Sequence, residues 1–134
     1  MLLLAIAALW IVSAVPTSAR NLSAVTGEKL LTACSAAQKT DTDEASLTDA
    51  DWNEAFFCMG FVQGALDEQA VWQVGDEQSH RETLAHFCID NDASWPQIIR
   101  ILVKWLENNP KQLNLAGVVV IQKAMADAYP CKKP

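Results

Sequence analysis

The sequence predicts an all-α domain: a small, disulfide-stapled bundle of four main helices arranged as two helical hairpins. Three observations carry that reading. Apolar residues recur at three- and four-residue spacing in four segments, and no segment alternates with the period of two that marks a strand. Ser, Asn and Pro stand where helix starts need them in the second half of the chain. Four cysteines and 51% hydrophobic residues in a chain of 134 supply core and cross-links for one domain.

Residues 1–14 are apolar and uncharged, and Val15-Pro16-Thr17-Ser18-Ala19 follows with a breaker and small residues at Thr17 and Ala19. That pattern reads as a secretory signal peptide, residues 1–19, cleaved after Ala19. A membrane anchor needs about 20 apolar residues, and Pro16 and the polar pair after it stop the run short of that. No stable anchor is expected after cleavage, and residues 20–134 form the mature domain.

The first helix is expected over about 24–38, with Leu30, Leu31 and Cys34 on its apolar side. A polar, acidic linker, 39–51, leads to a helix start where Thr48 or Asp49 serves as N-cap. The second helix, 50–72, is the most apolar: Phe57, Phe61 and Ala65 share a face with Cys58, Val62 and Leu66 beside them. Gly60 and Gly64, one turn apart, predict a second backbone packed closely against that helix. Residues 75–79 are then expected as an acidic loop, and 82–87 as a short helical turn. The third helix opens on Ser94-Trp95-Pro96-Gln97, a capping box with Pro in the first turn, and carries Trp95, Ile98, Leu102, Trp105 and Leu106 on one face. Asn109 is read as the cap of the fourth helix and Pro110 as its first residue. That helix is expected to run to Tyr129 through Leu113, Ala116, Gly117, Val120, Ala124 and Ala128. So short a connection makes the third and fourth helices antiparallel neighbours.

Sixteen Asp and Glu against ten Lys and Arg give a net charge of −6, which excludes a phosphate-binding stripe and argues against nucleic acid as a partner. Cys34, Cys58, Cys88 and Cys131 all lie in the exported part, and an even number in a small exported chain implies disulfides, with three connectivities open. No C-x-x-C pair is present and His80 and His86 lie six apart in an expected loop, so no metal site is read. With every thiol engaged, a Cys–His nucleophile has no free sulfur. Asp67 and Glu68 are read as solvated helix-end charges rather than an acid–base pair. The chain reads as a non-enzyme with no catalytic, cofactor or metal residues.

Taken in order, Cys58-Met59-Gly60-Phe61-Val62-Gln63-Gly64-Ala65-Leu66-Asp67, Phe87-Cys88-Ile89, Leu106-Glu107-Asn108-Asn109-Pro110 and Tyr129-Pro130-Cys131 resemble the Rap/Tai family of type VI secretion immunity proteins. That family shows a Cys-x-Gly-aromatic-x-x-Gly-x-x-Asp helix, a Phe-Cys-Ile-Pro step, a Leu-x-x-x-Pro hairpin and a closing aromatic-Pro-Cys. Asp90 departs from it where Pro is usual, and Phe61 where Tyr is common. The resemblance implies a periplasmic helical protein that binds and blocks a toxin injected by neighbouring cells, in several members a peptidoglycan-cleaving amidase. The alternative is a small acid-stress periplasmic chaperone, which such a family resembles in outline; a helical ligand carrier is a further one.

Hairpin geometry then selects a pairing: Cys34 on the first helix can face Cys58 on the second, and Cys88 and Cys131 lie just outside the start of the third helix and the end of the fourth. Chain entropy assigns these links roughly 3.5 and 4 kcal/mol. The run Val118-Val119-Val120-Ile121 cannot all face one side of a helix, so a homodimer is expected to cover part of it. The loop 75–82 is expected to be presented to the toxin, with Asp76, Glu77 and Glu82 steering a basic effector.

Overall fold

The computed structural model describes residues 25–79 and 87–131. The described chain is helical throughout, with α1 (Gly27–Thr42), α2 (Asp49–Ser79), α3 (Trp95–Asn108) and α4 (Gly117–Ala128), plus two single 3-10 turns at Glu44–Ser46 and Pro110–Gln112. α1 lies in the middle and packs against α2 on one side and α3 on the other, while α4 packs mainly on α3.

α1 starts at Gly27 because Thr26 caps it, its hydroxyl accepting from the Lys29 N–H at 3.3 Å. It buries Leu30, Ala33, Cys34, Ala36 and Ala37, a stripe of mostly small residues that lets both neighbours come close. It runs to Thr42, four residues past the expected end, and the hydroxyls of Thr40 and Thr42 donate back to the carbonyls of Ala37 and Gln38. Thr48 is the N-cap of α2: its hydroxyl accepts from the Asp51 N–H at 3.2 Å while the Asp51 carboxylate accepts from the Thr48 N–H at 3.0 Å. α2 does not stop at Trp72 but continues through Gly75 to Ser79, 31 residues and about 46 Å long. The expected loop at 75–79 is therefore helix. One glycine costs about 1 kcal/mol in a helix, and Gln73, Glu77 and Gln78 around it are good helix formers.

α3 has the expected buried face, Ile98, Ile99, Leu102, Val103 and Leu106, with Trp95 and Trp105 half-buried at its margins. The capping box does not form. Ser94 occupies the N-cap position in an extended conformation, but its side chain makes no cap hydrogen bond and only its carbonyl accepts, from the Ile98 N–H. Asn109 likewise does not cap the following helix: its side-chain amide donates to the Trp105 carbonyl at 2.8 Å and closes the C-terminus of α3.

The fourth helix differs most from expectation, starting at Gly117 rather than Pro110. Residues 113–117 leave the helical path and cross the segment before α1. Gly27 N–H donates to the Leu115 carbonyl (3.0 Å), Glu28 N–H to that of Leu113 (3.0 Å), and Gly117 N–H to that of Val25 (2.9 Å). Thr26 and Ala116 face each other in an isolated antiparallel bridge, the one extended pairing among the described residues. Backbone groups used in this crossing cannot make helical bonds, so the helix yields there.

The close approach expected at Gly60 and Gly64 is found elsewhere. Both are exposed, and a Cβ on either would meet nothing within 4 Å. At Gly27 a Cβ would come within 3.1 Å of the Leu113 Cα and carbonyl oxygen, and at Gly117 within 2.9 Å of Leu30 Cδ1. The glycines that let backbones meet are the two at the crossing. Gly27→Ala should therefore lower stability by about 1–3 kcal/mol through overpacking. Gly60→Ala and Gly64→Ala should each raise it by about 0.5–1 kcal/mol. Urea unfolding of the three variants measures both signs.

Candidate functional site

The core beneath any site is the contiguous set Leu30, Cys34, Cys58, Val62, Leu102, Leu106, Val120, Ile121 and Met125, all fully buried. Each large side chain in it contributes roughly 1.5–3 kcal/mol. Two disulfides staple it, in the pairing the hairpins imply: Cys34–Cys58, with Cα atoms 5.1 Å apart, and Cys88–Cys131, at 4.9 Å. The second is supported by the Cys88 N–H, which donates to the Tyr129 carbonyl at 2.8 Å.

α2 is fastened to α1 along its first half only. Lys29 pairs with Glu54, Nζ lying 2.6 Å from Oε2, and sits 5.2 Å from the Phe57 ring centroid as a cation over its face. Lys39 reaches Asp51 at 3.4 Å. The Thr48 hydroxyl and N–H, both donating to Asp51, hold its carboxyl below the usual carboxylate range, with Lys39 adding to the effect. Cys58, Val62 and finally Gln69 continue the buried side of the helix. Beyond Gln69, residues 70, 71, 72 and 74 are all exposed, and α2, at 31 residues, is far longer than the 16-residue α1 beside it.

That projecting end carries what sequence reasoning missed. Val71 (71% exposed), Trp72 (58%) and Val74 (52%) join Phe56 (62%) as large apolar side chains in solvent. The signal lay in Val71, Trp72 and Val74 continuing the helical spacing toward Gly75, which a reading of Gly75 as a breaker discards. Asp76 and Glu77 lie in the last turns of α2 rather than in a loop. Glu82, His80, His86 and residues 82–86 of the expected turn lie outside the described residues, as do residues 1–19; its last residue, Phe87, is non-helical and buried in the core. Asp67 and Glu68 are exposed, and Asp67 accepts from Gln63 Nε2 at 2.8 Å. Of Val118–Ile121, Val120 and Ile121 are fully buried, Val118 is half-buried and Val119 is 40% exposed.

Among the described residues no three His, Cys, Asp or Glu come together as metal ligands, and no helix is long and apolar enough to cross a membrane. Among the described residues an open depression lies between α1 and α3 at Ser35, Lys39 and Arg100, and another along α4 at Val119, Gln122 and Ala126.

A small all-α bundle with two staples and one helix reaching past its body is thus the class of protein in hand. The chain belongs to the family of Rap1a immunity proteins, which matches residues 26–131, from the cap of α1 to the last cysteine. This places it among immunity proteins of type VI secretion, a family that is periplasmic and generally non-enzymatic. No curated protein and no solved structure matches the chain.

The staples differ in access: Cys34 and Cys58 are fully buried, whereas Cys88 is exposed and Cys131 half-buried. A graded phosphine titration under native conditions should therefore open Cys88–Cys131 first, with Cys34–Cys58 surviving until the core unfolds. Alkylation and peptide mapping follow the order; simultaneous loss of both links would contradict it.

Proposed function

We propose that this protein is exported to the periplasm by a signal peptide spanning residues 1–19 and that its mature domain, 20–134, binds a cognate type VI toxin and occludes its active site. The toxin class proposed is a peptidoglycan-cleaving amidase. The observation that carries the reading is the family match, which covers every described helix and all four cysteines. Blocking an enzyme without chemistry requires a rigid body that presents a protruding element to a cleft. Two staples around one core limit the conformational entropy lost on binding. The end of α2 supplies the protrusion; Asp76 and Glu77 in its last turns, with Glu82 after it in the sequence, would raise the on-rate toward a basic toxin more than they add affinity. The protein works as a stoichiometric binder, without catalysis or cofactor.

A homodimer accompanies this reading, with the exposed Val119 and its half-buried neighbour Val118 covered by the second protomer. Light scattering at micromolar concentration should return twice the chain mass, and Val119→Asp should return the monomer.

Periplasmic co-expression of the effector encoded beside this gene tests the function. The unaltered exported protein should restore growth, and the triple variant Asp76→Lys, Glu77→Lys, Glu82→Lys should protect less well. No rescue and no binding by the unaltered protein would end the immunity reading. Equal protection by the variant would remove only the role given to these three acids.

A further inference from the structure

α2 holds seven Asp and Glu and no Lys, Arg or His, while the whole chain has a net charge of −6. One helix therefore carries more negative charge than the protein does, and the rest of the chain is slightly positive. The acids on α2 are not equivalent. Glu54 and Asp51 face α1 and are paired with Lys29 and Lys39. Asp49, Asp67 and Glu68 are exposed, and among the described residues no cation pairs with them.

The outward stripe of α2 follows from the helical period. Phe56, Gly60, Gly64, Asp67, Val71 and Val74 fall on one side, about 27 Å long, and every one of them is exposed. Phe56 is held in place by stacking on Trp52, ring centroids 5.7 Å apart. Between Phe56 and Val71 the two glycines leave a notch: among the described residues, the helix's own backbone aside, no atom lies within 4 Å of either Cβ position. Each glycine weakens the helix, and nothing among the described residues requires its missing side chain. Large apolar side chains at both ends of a notch, with carboxylates beside it that no cation pairs among the described residues, describe a seat for another helix, since ridges along i±4 rows pack into such grooves.

We propose that this stripe docks a cationic amphipathic helix of the toxin, with apolar side chains against Phe56 and Val71, its backbone over Gly60 and Gly64, and Lys or Arg beside Asp67 and Glu68. This rests on the toxin-binding reading above and extends the contact from the tip of α2 down its length. Charge complementarity selects this occupant. A second copy of the chain, docked stripe to stripe about a two-fold axis, would set Asp67 and Glu68 against the same acids with no cation on either side. An anionic membrane surface or nucleic acid would be repelled.

The test titrates the purified effector from the neighbouring gene into the full exported chain by calorimetry, with sedimentation of each variant alone. Gly60→Ala with Gly64→Ala should raise the unfolding midpoint yet weaken toxin binding at least tenfold, a combination that a purely structural role for the glycines would not produce. Asp67→Lys with Glu68→Lys should also lose at least tenfold and flatten the decline of affinity with salt. Unchanged affinity in both variants, with the unaltered chain binding, would overturn the docking surface and leave the functional reading standing. No binding by the unaltered chain would overturn both. A shift of the double-alanine variant from dimer to monomer at unchanged toxin affinity would assign the stripe to a second copy and overturn the proposal.

Discussion

The crossing of residues 25–28 with 113–117 is the contact on which the arrangement of the bundle depends. A helix leaves its first N–H groups without intrahelical partners, and burying them unpaired costs about 1–3 kcal/mol each. Here two helices solve that problem on each other: carbonyls of Leu113 and Leu115 accept from the first residues of α1, and the Val25 carbonyl accepts from the first residue of α4. The bonds are short only because Gly27 and Gly117 lack side chains, their Cβ positions being crowded by Leu113, Val120 and Leu30. With both helix starts fixed to each other, α1 packs on α2 and α3, and α4 packs mainly on α3. Cys34–Cys58 then locks α2 to α1 from within the core, and Cys88–Cys131 ties the segment before α3 to the residues after α4.

This construction leaves α2 asymmetric. Its first half has an N-cap, two ion pairs, a cation–ring contact and a buried disulfide. α1, at 16 residues, is about half its length and cannot accompany it further. Past Gln69 the helix continues for ten residues, with Val71, Trp72 and Val74 exposed. A continuous helix places side chains more definitely than a flexible loop of the same sequence would, and so loses less entropy when a partner orders it. For a protein whose family role is to block another protein, that is a useful property of the fold.

Local pattern and long-range contact explain which features were legible in the sequence. The amphipathic face of α3 and the Thr48 cap are local, written in residues three and four apart, and both could be read. The cysteine pairing was readable because hairpin topology leaves few cysteines adjacent. The start of α4 was not: Pro110 is a proper helix opener, and only the backbone of Val25–Glu28, some ninety residues away, overrides it. Glycines mislead for the same reason. Gly60 and Gly64 look like a packing motif and are open, whereas Gly27 and Gly117, isolated in sequence, are the ones that packing demands. The acidic run at 75–79 has loop-like composition, yet the helix before it is long enough to carry propagation through a single glycine. The family resemblance survived these errors because it rests on the order and spacing of motifs rather than on where any one helix ends.

The distribution of charge on α2 gives the functional reading its physical content. Asp76 and Glu77 sit near a helix C-terminus, where the macrodipole is itself negative, so each carboxylate there is unfavourable by about 0.3–1 kcal/mol. Stability alone would place those acids at the other end, beside Asp49 and Asp51. Seven acids and no Lys, Arg or His along α2 leave that helix with more negative charge than the whole chain, and so with a local field of its own. Such a field acts over roughly a Debye length, about 8 Å at physiological salt, and so works during encounter rather than across the molecule. A basic toxin would meet the projecting helix before the bundle, already oriented, and the short-range apolar contacts of Val71 and Trp72 would then set the lifetime of the complex. On the proposed reading, fast capture by charge and slow release by apolar burial would be separable, because they would reside on different residues of one helix.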